Sequence, residues 1–319
     1  MNPAVCPFLS INTFIMISPP PLKPYDEIGI VTCAGKIEKG SLDAAIVILE
    51  GWGLKVTTGK HVYGRYNQFG GTDQERAEDL QFMLDNPGIK AILCSRGGYG
   101  TLRIIDRIDF SLFRSYPKWV VGYSDITVLH SHINQNCGIE TLHALMPSEL
   151  SPKRDKVLTK RSVDYLREAL FGTLPAYYQS NHHLSREGKA EGLITGGNLS
   201  VLYSLLGSSS FPDTRGRILF IEDVDEYHYH IDRMMIALRR AGVLEHVAGI
   251  IVGDMTGMKD NKDPFGKTAQ EIIAEAVDDF DYPVLFGFSS GHQPENHPLF
   301  LGREVSLFVG EASCSLAFK

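Results

Sequence analysis

Little in this sequence points to covalent or metallic staples. Only 5 of its 319 residues are cysteine. Cys6, Cys33, Cys94, Cys137 and Cys314 are odd in number, widely scattered and include no C-x-x-C pair. That argues against a disulfide framework or a structural zinc site and for reduced thiols in a cytoplasmic protein. Cys94 closes an apolar run and reads as a small buried hydrophobe. Positive charge is also scarce: 31 Lys and Arg stand against 38 Asp and Glu, a formal net charge of −7. No basic stripe with interleaved aromatics compensates, so a nucleic-acid partner would be repelled. No run of about 18 apolar residues is present, and no membrane span is expected. The stretch from Met1 to Ser18 is fairly apolar, but no Lys or Arg precedes Lys23, so the charged start of a secretory signal is missing. Met16 offers an alternative translation start. Internal repeats and low-complexity segments are absent.

What is present is alternation. Ile28–Val31 reads as a strand, Leu42–Glu50 as a helix and Leu54–Val56 as a second strand. Asp73–Leu84 begins as a helix capped by Thr72 or Asp73. Ala91–Cys94 and Trp119–Gly122 are buried strands, the latter running into a helix over Ile126–Asn134. Such βα alternation predicts an α/β fold with a parallel sheet covered by helices. Length predicts about two domains: residues 20–150 as the first, a polar connection at 151–185 with a short helix Val163–Phe171, and residues 186–319 as the second. The second unit reads as α+β and β-rich, with a more antiparallel sheet.

Three kinds of segment carry chemistry. Gly122-Tyr123-Ser124-Asp125 lies between a buried strand and a helix. There a serine sits on a tight turn, above backbone N–H groups that can stabilise an oxyanion. On the local sequence alone the commoner reading is a helix cap, and G-x-S recurs at Gly207-Ser208-Ser209 and Gly287-Phe288-Ser289. Arg96-Gly97-Gly98-Tyr99-Gly100 follows a buried strand at its C-terminal end, where open α/β sheets bind ligands. Its glycines let backbone approach a ligand closely, with Gly98 and Asp125 N–H as oxyanion donors and Arg96 beside a carboxylate. The spacing is neither a dinucleotide fingerprint nor a P-loop. Finally, the strand Ile218–Ile221 leads into an acidic run, Glu222 to Glu226, followed by His228 and His230, while His292 lies in the loop Ser289–Pro294 with His297 as its competitor. A carboxylate just past a buried strand can orient an imidazole. The same run could supply metal ligands, although neither H-E-x-x-H nor a repeated Asp-x-Asp-Gly loop is present.

Together these segments resemble the LD-carboxypeptidase family, which includes murein tetrapeptide carboxypeptidases and microcin C immunity proteins. The resemblance runs from about Ile28 to Gly302. It is carried by Arg96-Gly97-Gly98-Tyr99-Gly100, Gly122-Tyr123-Ser124-Asp125, Gly196-Gly197-Asn198-Leu199, Leu219-Phe220-Ile221-Glu222-Asp223 and Ser290-Gly291-His292. It implies a Ser124–Glu222–His292 triad, Gly98 and Asp125 as the oxyanion hole, and substrate contacts from Arg96, Gly97 and Tyr99. It also implies a nucleophile domain like class I glutamine amidotransferases, a homodimer, no cofactor and no metal. The implied reaction is serine-type release of terminal D-Ala from murein tetrapeptides during cytoplasmic cell-wall recycling. The family's alternative is hydrolysis of acyl-sulfamoyl or phosphoramidate adenylates. That would require aromatic stacking on adenine, for which neither Trp52 nor Trp119 is obviously placed. The stretch Tyr63–Gly70 has no role assigned by sequence and could line the entrance.

Overall fold

A computed structural model describes residues 16–150 and 156–319. The first fifteen residues, with Cys6, and the start of the expected connection at 151–155 lie outside the described residues.

The first half builds β1 (Glu27–Val31), β2 (Lys55–Thr58), β3 (Ile89–Cys94), β4 (Trp119–Gly122) and β5 (Thr141–His143). Its helices are α1 (Asp43–Gly51), α2 (Asp73–Asp85), the short α3 (Ser111–Ser115) and α4 (Thr127–Cys137). Thr72 starts α2 with a capping box: its hydroxyl accepts from the Glu75 N–H, and the Glu75 carboxylate accepts from the Thr72 N–H. The interval expected to be a connection with a short helix instead holds α5 (Lys156–Leu170) and β6 (Ala176–Ser180). The rest comprises β7 (Gly188–Asn198), α6 (Leu199–Leu205), β8 (Ile218–Val224), α7 (His228–Arg240), β9 (Gly249–Thr256), α8 (Ala269–Ala276), β10 (Val284–Phe286), β11 (Leu299–Leu301), β12 (Glu304–Val309) and β13 (Ser313–Phe318).

Two sheets result. The six-stranded sheet has the order β11-β5-β4-β3-β1-β2, parallel except for β11. Strand β11 comes from the second half of the chain and closes the edge beside β5. The seven-stranded sheet runs β10-β9-β8-β7-β12-β13-β6. It is not mainly antiparallel, as its sequence suggests. The β7–β10 side is parallel, and only the β7–β12–β13–β6 side is antiparallel. The long strand β7 serves both, pairing with β12 through residues 188–193 and with β8 through 194–198. One apolar core spans both sheets, joining Ala91, Val121 and Leu142 to Ile194, Phe220 and Leu299. Full burial of a side chain such as Phe220 contributes roughly 1.5–3 kcal/mol. Cys94 is fully buried against Cys33, and that contact together with burial pushes its thiol pKa well up, consistent with an inert core residue.

The pair Gly196-Gly197 lets β7 approach two neighbours closely, β8 and the first turn of α4. Gly196 has φ +122°, and a β-carbon there would lie 1.9 Å from the Phe220 carbonyl oxygen. At Gly197 it would lie 2.5 Å from Thr127 Oγ1. Without a β-carbon at Gly197, β7 reaches the first turn of α4, where the Asn198 N–H donates to Thr127 Oγ1 at 3.0 Å. Gly196→Ala is therefore expected to cost about 3 kcal/mol or more through backbone strain and overlap. Thermal unfolding should show a Tm lower by about 5 °C or more. An unchanged Tm would contradict this account of the β7–β8 approach.

Among the described residues, no helix is long and apolar enough to cross a membrane.

Candidate active site

Ser124 stands where β4 gives way to α4. Its φ is +62°, a left-handed conformation that non-glycine residues rarely adopt outside functional turns. It is also the one residue between 118 and 131 that is partly exposed, its neighbours being buried. The turn thus lifts one hydroxyl out of a packed segment. Residues Ser124–Ile126 form a single 3-10 turn that continues into α4, so the Asp125 N–H belongs to the positive end of that helix. The Asp125 side chain does something the sequence did not suggest. It is buried and its Oδ2 accepts the Thr101 N–H at 2.8 Å, tying the nucleophile turn to the end of the glycine loop. Burial raises the Asp125 pKa from its ordinary value, against the lowering effect of the Thr101 hydrogen bond.

The glycine loop is packed directly against this turn. A β-carbon at Gly97 would lie 2.8 Å from Ser124 Cβ and 2.9 Å from its Oγ. Position 97 must therefore lack a side chain for the hydroxyl to keep its place. Gly98 follows in a positive-φ conformation (+119°) against Gly35, whose N–H donates to the Gly97 carbonyl at 3.2 Å. Beneath the loop, the buried Arg76 guanidinium donates to the carbonyls of Cys33 and Gly100 and pairs with Asp73. A fully buried arginine with these partners acts as a brace.

Glu222 and His292 come together across the second sheet. Glu222, in β8, has a side chain with no exposure. Its Oε2 lies 2.7 Å from His292 Nδ1, and the His292 side chain is 17 % exposed. The loop carrying His292 reads as flexible in sequence but is tied down. Asn296 Oδ1 accepts from the Gly291 N–H at 3.3 Å and the Ser290 hydroxyl at 3.4 Å, and the Ser290 hydroxyl also reaches the His297 carbonyl at 2.9 Å. The ring of His292 packs edge-on against Tyr123, the residue before Ser124, with centroids 4.8 Å apart. Tyr123 in turn donates to the buried Glu149 at 2.6 Å. Burial disfavours the His292 imidazolium, but the Glu222 carboxylate outweighs it, helped by Glu149 and Asp223, and the pKa ends above the ordinary histidine value.

The competing residues are placed elsewhere. His297 stacks flat on Tyr177, with centroids 4.5 Å apart. His230 turns to Glu226 and His228 to Asp260. Among the described residues, no three His, Cys, Asp or Glu side chains are grouped to hold a metal ion.

Beside the glycine loop opens a cavity of about 520 Å³, lined by Gly35, Lys36, Asn67, Gln68, Arg96, Gly98 and Tyr99. The stretch of unassigned role thus has a place. Tyr66 and Phe69 exchange backbone hydrogen bonds of 3.1 and 2.9 Å around a tight turn, with Asn67 at φ +55°. Lys36 Nζ donates to the Asn67 carbonyl at 2.8 Å, and Arg96 reaches only the carbonyls of Gly97 and Lys36, each at 3.2 Å. Among the described residues, neither cation has a carboxylate partner. Lys36 was missed in the sequence, because the contact that brings it to Asn67 spans 31 residues. A larger cavity, about 760 Å³, lies between α4 and the loop at 207–217 and contains none of these groups.

A serine on a strained strand-to-helix turn, a glycine loop against it and a buried carboxylate–imidazole pair beside it describe a hydrolase of the acyl-transfer class. Residues 28–144 match the LD-carboxypeptidase N-terminal domain and residues 191–307 the LD-carboxypeptidase C-terminal domain. A probable murein peptide carboxypeptidase of Bacillus subtilis (strain 168) is 37 % identical over 296 residues, 92 % of either chain. The muramoyltetrapeptide carboxypeptidase of Oxalobacter formigenes shares the fold with a TM-score of 0.83 at 24 % identity, covering 92 % of this chain and 98 % of that one. The microcin C7 self-immunity protein MccF, solved with aspartyl sulfamoyl adenosine, also superposes at 0.83 and 24 % identity, covering 94 % and 98 %. The chain belongs to the LD-carboxypeptidase family.

Proposed function

We propose that the protein is a serine carboxypeptidase that releases the terminal D-Ala of murein tetrapeptides. The observation that carries this reading is the 2.7 Å contact of Glu222 Oε2 with His292 Nδ1, on a ring packed beside the Ser124 turn. In this mechanism His292 accepts the Ser124 proton through its Nε2 as the hydroxyl attacks the scissile carbonyl. Glu222 fixes the tautomer and stabilises the imidazolium. The N–H groups of Gly98 and Asp125 receive the oxyanion. His292 then protonates the departing D-Ala amine, and water resolves the acyl-enzyme with the same base. No step calls for a cofactor. The reading extends to a cytoplasmic homodimer whose nucleophile domain is of the class I glutamine amidotransferase type.

The cationic cavity supports an anionic substrate. Lys36 and Arg96, with Tyr99 beside them, offer charge-assisted hydrogen bonds to a carboxylate close to the nucleophile. Arg96→Ala is expected to raise KM about 5- to 10-fold with a smaller effect on kcat, because the site is open to solvent and the pairing screened. Steady-state kinetics with a tetrapeptide check this, and an unchanged KM would remove Arg96 from the substrate site. An adenylate substrate has less support: Trp119 is buried in β4 and Trp52 follows α1, and neither lines this cavity.

The direct test is incubation with a disaccharide tetrapeptide and with the free tetrapeptide, followed by mass detection. Loss of one D-Ala is expected. Intact peptides alongside hydrolysis of an aminoacyl sulfamoyl adenosine would overturn the peptide reading.

A further inference from the structure

The mechanism above uses one oxygen of Glu222 and leaves the other without a role. Glu222 Oε1 is buried and accepts no hydrogen bond from the described residues. On the neighbouring strand β9, Asp254 Oδ2 is likewise buried and without a partner. The two side chains border the same point. A β-carbon at Gly291 would lie 2.9 Å from Glu222 Oε2 and 3.2 Å from both Glu222 Cβ and Asp254 Cβ. Asp254 is also fastened to the loop that carries His292. Its N–H donates to the Ser290 carbonyl at 3.0 Å.

Two buried carboxylate oxygens that both lack donors would each bear an uncompensated desolvation cost. A single proton removes both costs, because it turns one acceptor into a donor for the other. Glu222 already receives a charge-assisted bond from His292, so the proton belongs on Asp254. We propose that Asp254 is a positioning residue which, as the neutral acid, donates its proton to the free oxygen of Glu222, directly or through one bound water, and so holds the Glu222 carboxylate against His292. The groups facing Asp254 agree with this arrangement. Burial and then the charge of Glu222 push its pKa up, with Glu295 adding to the rise and the Gln293 N–H and His292 opposing it, to a value of about 7. Asp223, the other carboxylate beside Glu222, is already occupied by the Asn198 amide and the Ser200 and Val224 N–H groups.

The proposal rests on the reading of Glu222 and His292 as orienter and base, and its test separates the two. Asp254→Ala and Asp254→Asn are compared in D-Ala release and in the rate at which a fluorophosphonate acylates the enzyme, a reaction that needs an activated serine but no muropeptide. Asp254→Ala should lower kcat and the acylation rate about tenfold, with KM within twofold. Asp254→Asn, which keeps a donor and carries no charge, should restore both rates to within about threefold of the wild type. Its activity should also persist to higher pH, because an amide cannot lose the proton that Asp254 loses as pH rises through about 7. If the asparagine variant is as slow as the alanine variant, or if alanine stays within twofold of the wild type, the proposal is overturned. A wild type that is acylated but releases no D-Ala, with the same ranking of variants, would remove the substrate reading and leave this role in place.

Discussion

Ser124→Ala is expected to lower kcat by at least about 10⁴-fold while leaving the fold intact. The serine supplies the attacking oxygen. Its removal should cost little stability. Ser124 is partly exposed and already strained at φ +62°, and alanine tolerates that conformation about as poorly as serine does. Turnover measured with a tetrapeptide, together with thermal unfolding, checks both halves of the statement. A variant that keeps more than about a tenth of wild-type activity would point to another nucleophile.

Glu222→Gln should be nearly as severe, with kcat falling about 10³- to 10⁴-fold. The amide can present its NH₂ to His292 Nδ1, which selects the wrong tautomer for a base acting through Nε2. The pH dependence should move as well. His292 works as a base only when neutral, so the rate rises as pH climbs through its pKa, and the Glu222 carboxylate holds that pKa above the ordinary histidine value. Removing the carboxylate charge lets burial dominate and lowers the pKa. The acid limb of kcat/KM for the residual activity should shift to lower pH. A limb that stays in place would mean that some other charge sets the protonation of His292.

The parts of this site legible in the sequence are those with local backbone demands. Gly97, Gly98, Gly196 and Gly197 had to be glycine because a β-carbon would meet Ser124, a positive φ, a carbonyl or Thr127. The serine turn was readable because a buried strand and a helix flank it. Strands β5, β6 and β11 were not foreseen. Two of them have three residues and the third only five, too few to show an alternation. Strand β11 also joins the sheet of the opposite half, a pairing with β5 across more than 150 residues that no local pattern encodes. The second sheet was read as more antiparallel than it is: a helix over Ile231–Ala241, close to α7, is legible in the sequence, but α8, which follows β9 and precedes its parallel partner β10, is not. Asp254 shows the same limit. In sequence it is one acid near a strand end, and only the pairing of β8 with β9 sets it behind Glu222.

The account depends most on Ser124 becoming covalently modified under the action of His292. The direct measurement is reaction of the protein with a fluorophosphonate, followed by proteolysis and mass mapping of the adduct. The expected result is a single adduct on the peptide containing Ser124, formed at least about a hundredfold more slowly in His292→Ala. An adduct on a different serine, or labelling of Ser124 at the same rate without His292, would contradict it.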